Sequence, residues 1–137
     1  MSEAALNFNW LLADFVAQTP GTTEAIAVSS DGILLAASSG RQRDNVEQFA
    51  AVIAGMTSLA QGAAACFGYD DVEQLVLEMS GGFMFVSAIG DGSTLGVLAE
   101  RSCDVGLIGY EMTLLLNRAG TALTPALVSE LKNMLVA

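Results

Sequence analysis

The chain has 137 residues, 53% hydrophobic and 15% charged, and fifteen Asp and Glu against five Lys and Arg leave a net charge of −10. That length supports one domain with its own core, without metal or disulfide staples, and so acidic a surface is repelled by nucleic-acid phosphates and anionic lipids. The charged fraction is below the roughly 25% of ordinary soluble proteins, which implies that other parts of the chain or partners cover much of the surface.

Two cysteines, Cys66 and Cys103, show no pairing pattern, and a reduced, cytoplasmic chain explains them best. The N-terminal MSEAALNFNW lacks a basic run and carries Glu3, unlike a signal peptide. No repeat or low-complexity linker interrupts the chain, so 1–137 reads as a single domain, with a core over about 7–118 and a C-terminal helix over about 124–135.

In chain order, Asn7 caps a first helix running to about Gln18, with Phe8, Leu11, Leu12 and Phe15 on one stripe. Thr19-Pro20-Gly21 stops it. "TEAIAVSSDGILLAAS" then places two apolar runs around Ser30-Asp31-Gly32, a strong hairpin signal. Asp44 caps a long helix over about 45–67, which Gly68 ends. Three strand-like runs follow, "VEQLVLEM" (72–79), "FMFVSAI" (83–89) and "STLGVLA" (93–99). The tight turns between them, Ser80-Gly81-Gly82 and Gly90-Asp91-Gly92, allow only an antiparallel meander. Asp104 caps a helix to about Arg118 with Val105, Ile108, Met112 and Leu115 inward, and Thr124-Pro125 opens a short helix through Val128, Leu131 and Met134. The strands are apolar on both faces, so the sheet needs helices on both sides. The expected fold is an α+β, three-layer α/β/α sandwich around five antiparallel strands.

The long helix is the informative element. Residues 48–69 carry no charge, but Gly55, Gly62, Gln48, Thr57, Ser58 and Gln61 dilute the run and no positive clusters flank it, which disfavours a membrane span. At 100° steps, Phe49, Ile53, Met56, Ala60, Ala63 and Phe67 form the expected core stripe. The opposite face holds Ala51, Gly55, Ser58, Gly62 and Ala65, flanked by Val52, Leu59 and Cys66. Solvent gives no reason for two glycines there, each costing roughly 1 kcal/mol relative to alanine. Another part of the chain covers this face, or a second copy or a partner docks on it; docking is the preferred expectation. "VEQLVLEM" supports it as an edge strand without Pro or Lys to blunt its backbone, with Gln74, Val76 and Glu78 alternating against Leu75, Leu77 and Met79. An internal position for this strand is the alternative.

Catalytic chemistry is sparse. Histidine, the commonest general base and metal ligand, is absent from the chain. Asp70, Asp71 and Glu73 read as a solvated turn outside any EF-hand spacing. Gly90-Asp91-Gly92-Ser93 lacks the P-loop lysine and joins two strands. Asp104 beside Cys103 opposes thiolate formation. No cofactor, metal or enzymatic activity is expected.

"AIAVSSDGILLAAS" (25–38), the alanine-rich long helix and "LVLEMSGGFMFVSAIGDGSTLGVLAERSCDVGLIGYEMTLLLNR" (75–118) resemble the roadblock / dynein light chain family, in its bacterial branch beside Ras-like GTPases and sensor-kinase-like proteins. The resemblance covers about residues 7 to 135 and implies the same sandwich fold. It implies dimerisation through the long helix and third strand, here 45–67 and 72–79, giving Ala51, Val52, Gly55, Ser58, Leu59, Gly62, Cys66, Gln74, Val76 and Glu78 as interface candidates. It also implies a Ras-like GTPase bound by the paired helices, with Arg41, Arg43 and Glu47 as further contacts. Arg41, Arg43, Arg101 and Arg118 stand in no pattern that nominates an arginine finger, so binding without catalysis is expected. The expected role is a homodimeric, non-enzymatic adaptor or regulator of a small GTPase. A small-molecule sensor module is the alternative, and would require a cavity.

Overall fold

The computed structural model describes residues 2–39, 45–89 and 92–134. The elements are α1 (Glu3–Gln18), β1 (Thr22–Val28), β2 (Leu34–Ala37), α2 (Val46–Phe67), β3 (Gln74–Met79), β4 (Gly82–Ile89), β5 (Ser93–Glu100), α3 (Val105–Ala122) and α4 (Pro125–Asn133). The strands form one sheet in the order β2-β1-β5-β4-β3, and every neighbouring pair is antiparallel. The expected hairpin and meander are both present, joined through the β1–β5 pair.

Strand alternation divides the apolar residues between two cores. Ala25, Ala27, Leu95, Val97 and Phe85 meet α1, α3 and α4 on one face. Ile26, Val28, Met84 and Val86 meet α2 on the other. The three layers are therefore unequal, with three helices on one side and one on the other.

One close approach seats α2. The cross-strand row Leu75, Val86, Gly96, Ile26 and Ala37 runs beneath it. A Cβ built on Gly96 would lie 2.1 Å from the Ile53 Cδ1 atom, so the fully buried Ile53 occupies the space that glycine vacates.

Boundaries differ from expectation where capping decides them. α1 begins at Glu3, because the Ser2 hydroxyl accepts the Ala5 N–H at 3.1 Å; Asn7 lies within the helix. Ala5 thereby joins Phe8, Leu12 and Phe15 in the core, while Leu11 is half-buried. Asn45 stands at the α2 cap position without a side-chain capping bond, and Asp44 lies outside the described residues. α3 continues one turn beyond Arg118, burying Ala119 with Ile108, Met112 and Leu115, whereas Val105 is 38% exposed. The Asp104 carboxylate caps α3 at the Leu107 N–H, and the Thr124 hydroxyl caps α4 at the Leu127 N–H, both as expected.

The largest correction concerns the phase of α2. Its buried residues are Val46, Ala50, Ile53 and Ala64; Phe49, Met56 and Ala60 are half-buried, and Ala63 and Phe67 are exposed. The inward stripe is thus turned by about 65° from the one read off the largest side chains, at 100° per residue. Ala50 and Ala64 face the sheet alongside Val46 and Ile53 because Gly96 brings the helix close, and the flank of Phe49, Met56 and Phe67 is displaced toward β3.

α4 is tied down by polar contacts as well as by buried Leu127 and Leu131. Lys132 pairs with Asp31 in the β1–β2 turn at 3.0 Å, and the Ser2 hydroxyl donates to Glu130 at 2.8 Å. The hydrogen bond from Ser29, then Lys132, hold the Asp31 carboxyl below the ordinary carboxylate range.

Gly96→Ala should cost about 1–3 kcal/mol by overpacking. Chemical denaturation of G96A, I53V and the double variant should show Ile53→Val recovering part of that loss, because both changes act on one contact.

Candidate interaction surface on the long helix and the edge strand

α2 packs over β1, β2 and β5, leaving the β3 side of the sheet beyond it. Its outward residues Ala51, Gly55, Ser58, Gly62 and Cys66 are exposed, and so are Val52 at 48% and Leu59 at 78%. α4 packs against β2 and α1 and does not cover this face. A Cβ on Gly55 or Gly62 would find no atom within 4 Å, so contacts among the described residues do not explain either glycine. α2 is long and apolar enough to cross a membrane by length and composition, but here it lies along the sheet.

β3 occupies the sheet edge, as expected. Gln74, Val76 and Glu78 stand opposite Ser87, Phe85 and Phe83, which places them on the α1 side of the sheet. Leu75, Leu77 and Met79 stand on the α2 side, with Leu75 packed into the α2 core and Leu77 and Met79 exposed at 37% and 40%. The α2 candidates and Gln74, Val76 and Glu78 therefore flank the edge from opposite faces, joined only through the β3 backbone. The exposed β3 residues that share a face with α2 are Leu77 and Met79, which are not among the interface candidates read from the sequence. Strict alternation combined with the correct helix phase would have found them.

Glu78 has a partner within the chain. Arg101 forms an ion pair with it, donates to the Met79 carbonyl at 3.2 Å and lies 5.5 Å from the Phe83 ring centroid. This exposed cluster positions the end of β3 and adds little stability. Glu47 is exposed in the first turn of α2, while Arg41 and Arg43 lie outside the described residues.

Past the end of α2, Phe67 and Tyr69 stack with ring centroids 5.8 Å apart, and both are more than 70% exposed. They line an open cleft of about 750 Å³ with the exposed Asp70, Asp71 and Glu73. No group of three Cys, Asp or Glu among the described residues is arranged to hold a metal ion.

The surface thus combines an uncharged helix face, exposed apolar side chains and an unpaired strand edge. The family model for the Roadblock/LC7 domain matches residues 8–99. The chain belongs to the Roadblock/LC7 family. This is a family of regulatory and adaptor domains.

Solved structures share the Roadblock/LC7 fold. A Roadblock/LC7 domain from Streptomyces avermitilis is 37% identical, with 80% of this chain and 92% of that one covered and a TM-score of 0.75. A second Roadblock/LC7 domain structure from Streptomyces avermitilis is 29% identical over 86% and 99% of the two chains, with a TM-score of 0.68. MglB from Myxococcus xanthus, 16% identical over 84% and 93%, has a TM-score of 0.76. No curated protein matches the chain.

Gly55→Ala and Gly62→Ala should each stabilise the isolated Roadblock/LC7 chain by up to about 1 kcal/mol, because alanine favours the helix and its methyl meets nothing. Urea unfolding at high dilution measures this effect apart from any association.

Proposed function

We propose that this Roadblock/LC7 domain is a cytoplasmic, non-enzymatic homodimer that acts as an adaptor or regulator of a small Ras-like GTPase in a bacterial signalling complex. The observation that carries the reading is the bare, uncharged outer face of α2 beside the unpaired β3 edge. Pairing two β3 edges satisfies their free backbone groups and brings the α2 helices together, where the exposed glycines permit close backbone approach. Burial of Val52, Leu59, Leu77 and Met79 then supplies the hydrophobic driving force.

The GTPase assignment rests on the resemblance of residues 7–135 to the bacterial branch of the family, and the likeness to MglB agrees with it in fold. Paired α2 helices would present a broad surface bearing Glu47 and Ser58, with Arg41 and Arg43 preceding it in the chain. A sensor-kinase-like protein is the further partner expected of such a complex. The small-molecule alternative rests on the open cleft at Phe67 and Tyr69, and predicts a ligand-dependent rise in melting temperature.

Light scattering with the purified chain, followed by titration of Ras-like GTPases from the source cell in their GTP and GDP forms, tests the proposal. The dimer mass and nucleotide-dependent binding are expected, with Ser58→Arg weakening association or GTPase binding while helicity is retained. A monomer that binds no GTPase in either form contradicts it.

A further inference from the structure

A second group of exposed hydrophobic side chains lies in the layer opposite α2. α1 exposes Leu6 at 56% and Trp10 at 57%, one helical turn apart. α3 exposes Leu107 at 38%, Tyr110 at 61% and Leu114 at 43%, at the i, i+3, i+7 spacing of one helix face. Between the two helices runs a groove of about 420 Å³, with buried Phe15 and Leu115 in its wall and Leu114 at its margin. A self-contained domain gains nothing from displaying Trp, Tyr and Leu on the outer sides of two packed helices, and the bare α2 face lies on the other side of the sheet.

Charge identifies the occupant. α1 contains no Lys or Arg, and Asp14 and Glu111 line the groove against one cation, Arg118. None of these three side chains has a hydrogen bond or ion pair with another described residue. The chain as a whole carries −10, so a second copy would bring like charge to an acidic rim. The sixteen residues of α1 span about 24 Å at 1.5 Å per residue, enough to accompany four turns of a helix.

We propose that the α1–α3 groove is a second docking surface, which takes an amphipathic helix with an apolar ridge flanked by Lys and Arg from a partner protein. Its leucine-type anchors fill the groove beside Leu11 and Leu114, with exposed Trp10 adjoining Leu11 on α1, and its cations meet Asp14 and Glu111. α3 begins after the 8–99 stretch matched by the family model, so this surface does not follow from that match. Because the groove and the α2 face lie on opposite sides of the sheet, both can be occupied together, and the domain can bridge two partners.

Trp10 is the only tryptophan and is the built-in reporter. A synthetic sixteen-residue Leu/Lys helix with leucines at i, i+3, i+4 and i+7 is titrated into the full chain while tryptophan emission is followed. A saturable blue shift is expected, with Leu114→Ser and Glu111→Lys each weakening binding roughly tenfold and circular dichroism unchanged. An equal response to the matching Leu/Glu peptide, an unaltered response in both variants, or no shift at all overturns the proposal. A blue shift that grows with protein concentration alone, with mass above that of a dimer, assigns the groove to a second copy and likewise overturns it.

Discussion

The structure depends on Ile53 reaching the sheet through the gap that Gly96 leaves. One contact of that kind sets how close α2 lies, which of its residues point inward and how far across the sheet it extends. With the helix drawn down over β1, β2 and β5, its inner side is Val46 and Ile53 with two alanines, Ala50 and Ala64. Other large side chains are displaced toward β3 or outward, where Leu59 and Phe67 are more than 70% exposed. Full burial of either contributes about 1.5–3 kcal/mol, so the bare face is a substantial reserve of association energy.

The other layer is built differently. Three helices share the opposite face, and their inner stripes close a continuous core from Ala5 and Phe8 through Met112 to Leu131. Polar ties such as Lys132 to Asp31 hold the last helix against the hairpin turn. Residual apolar exposure in this layer therefore belongs to outward-facing residues of completed helices rather than to missing cover. The two faces of one sheet carry distinct surfaces, one small-residued and adjoining a strand edge, the other aromatic and rimmed with carboxylates.

Much of the architecture was legible in local chemistry. Ser30-Asp31-Gly32 and the Gly-rich turns marked the hairpin and meander, and Asp104 and Thr124 marked two helix starts through their caps. The edge position of β3 was one of two open readings, because the β1–β5 pairing decides the strand order; its lack of Pro and Lys says only that the edge is unblunted. The phase of α2 was not legible, because ranking residues by size picks Phe67 and Met56, while the seat on Gly96 is a long-range fact recorded on another element. The same error hid Leu77 and Met79, whose relevance depends on which sheet face α2 covers. Ser2 was missed as a cap because Asn7 offered an equally good local signal within the helix.

The central claim is that β3 ends the sheet within one chain but not in the functional assembly. Amide hydrogen exchange of residues 74–79 tests it most directly, measured from nanomolar to high micromolar protein. The β3 amides pointing away from β4 should be slow to exchange at high concentration and fast on dilution, together with protection along the outer turns of α2. Uniformly fast exchange of those amides at every concentration, with β4 and β5 fully protected, would contradict it.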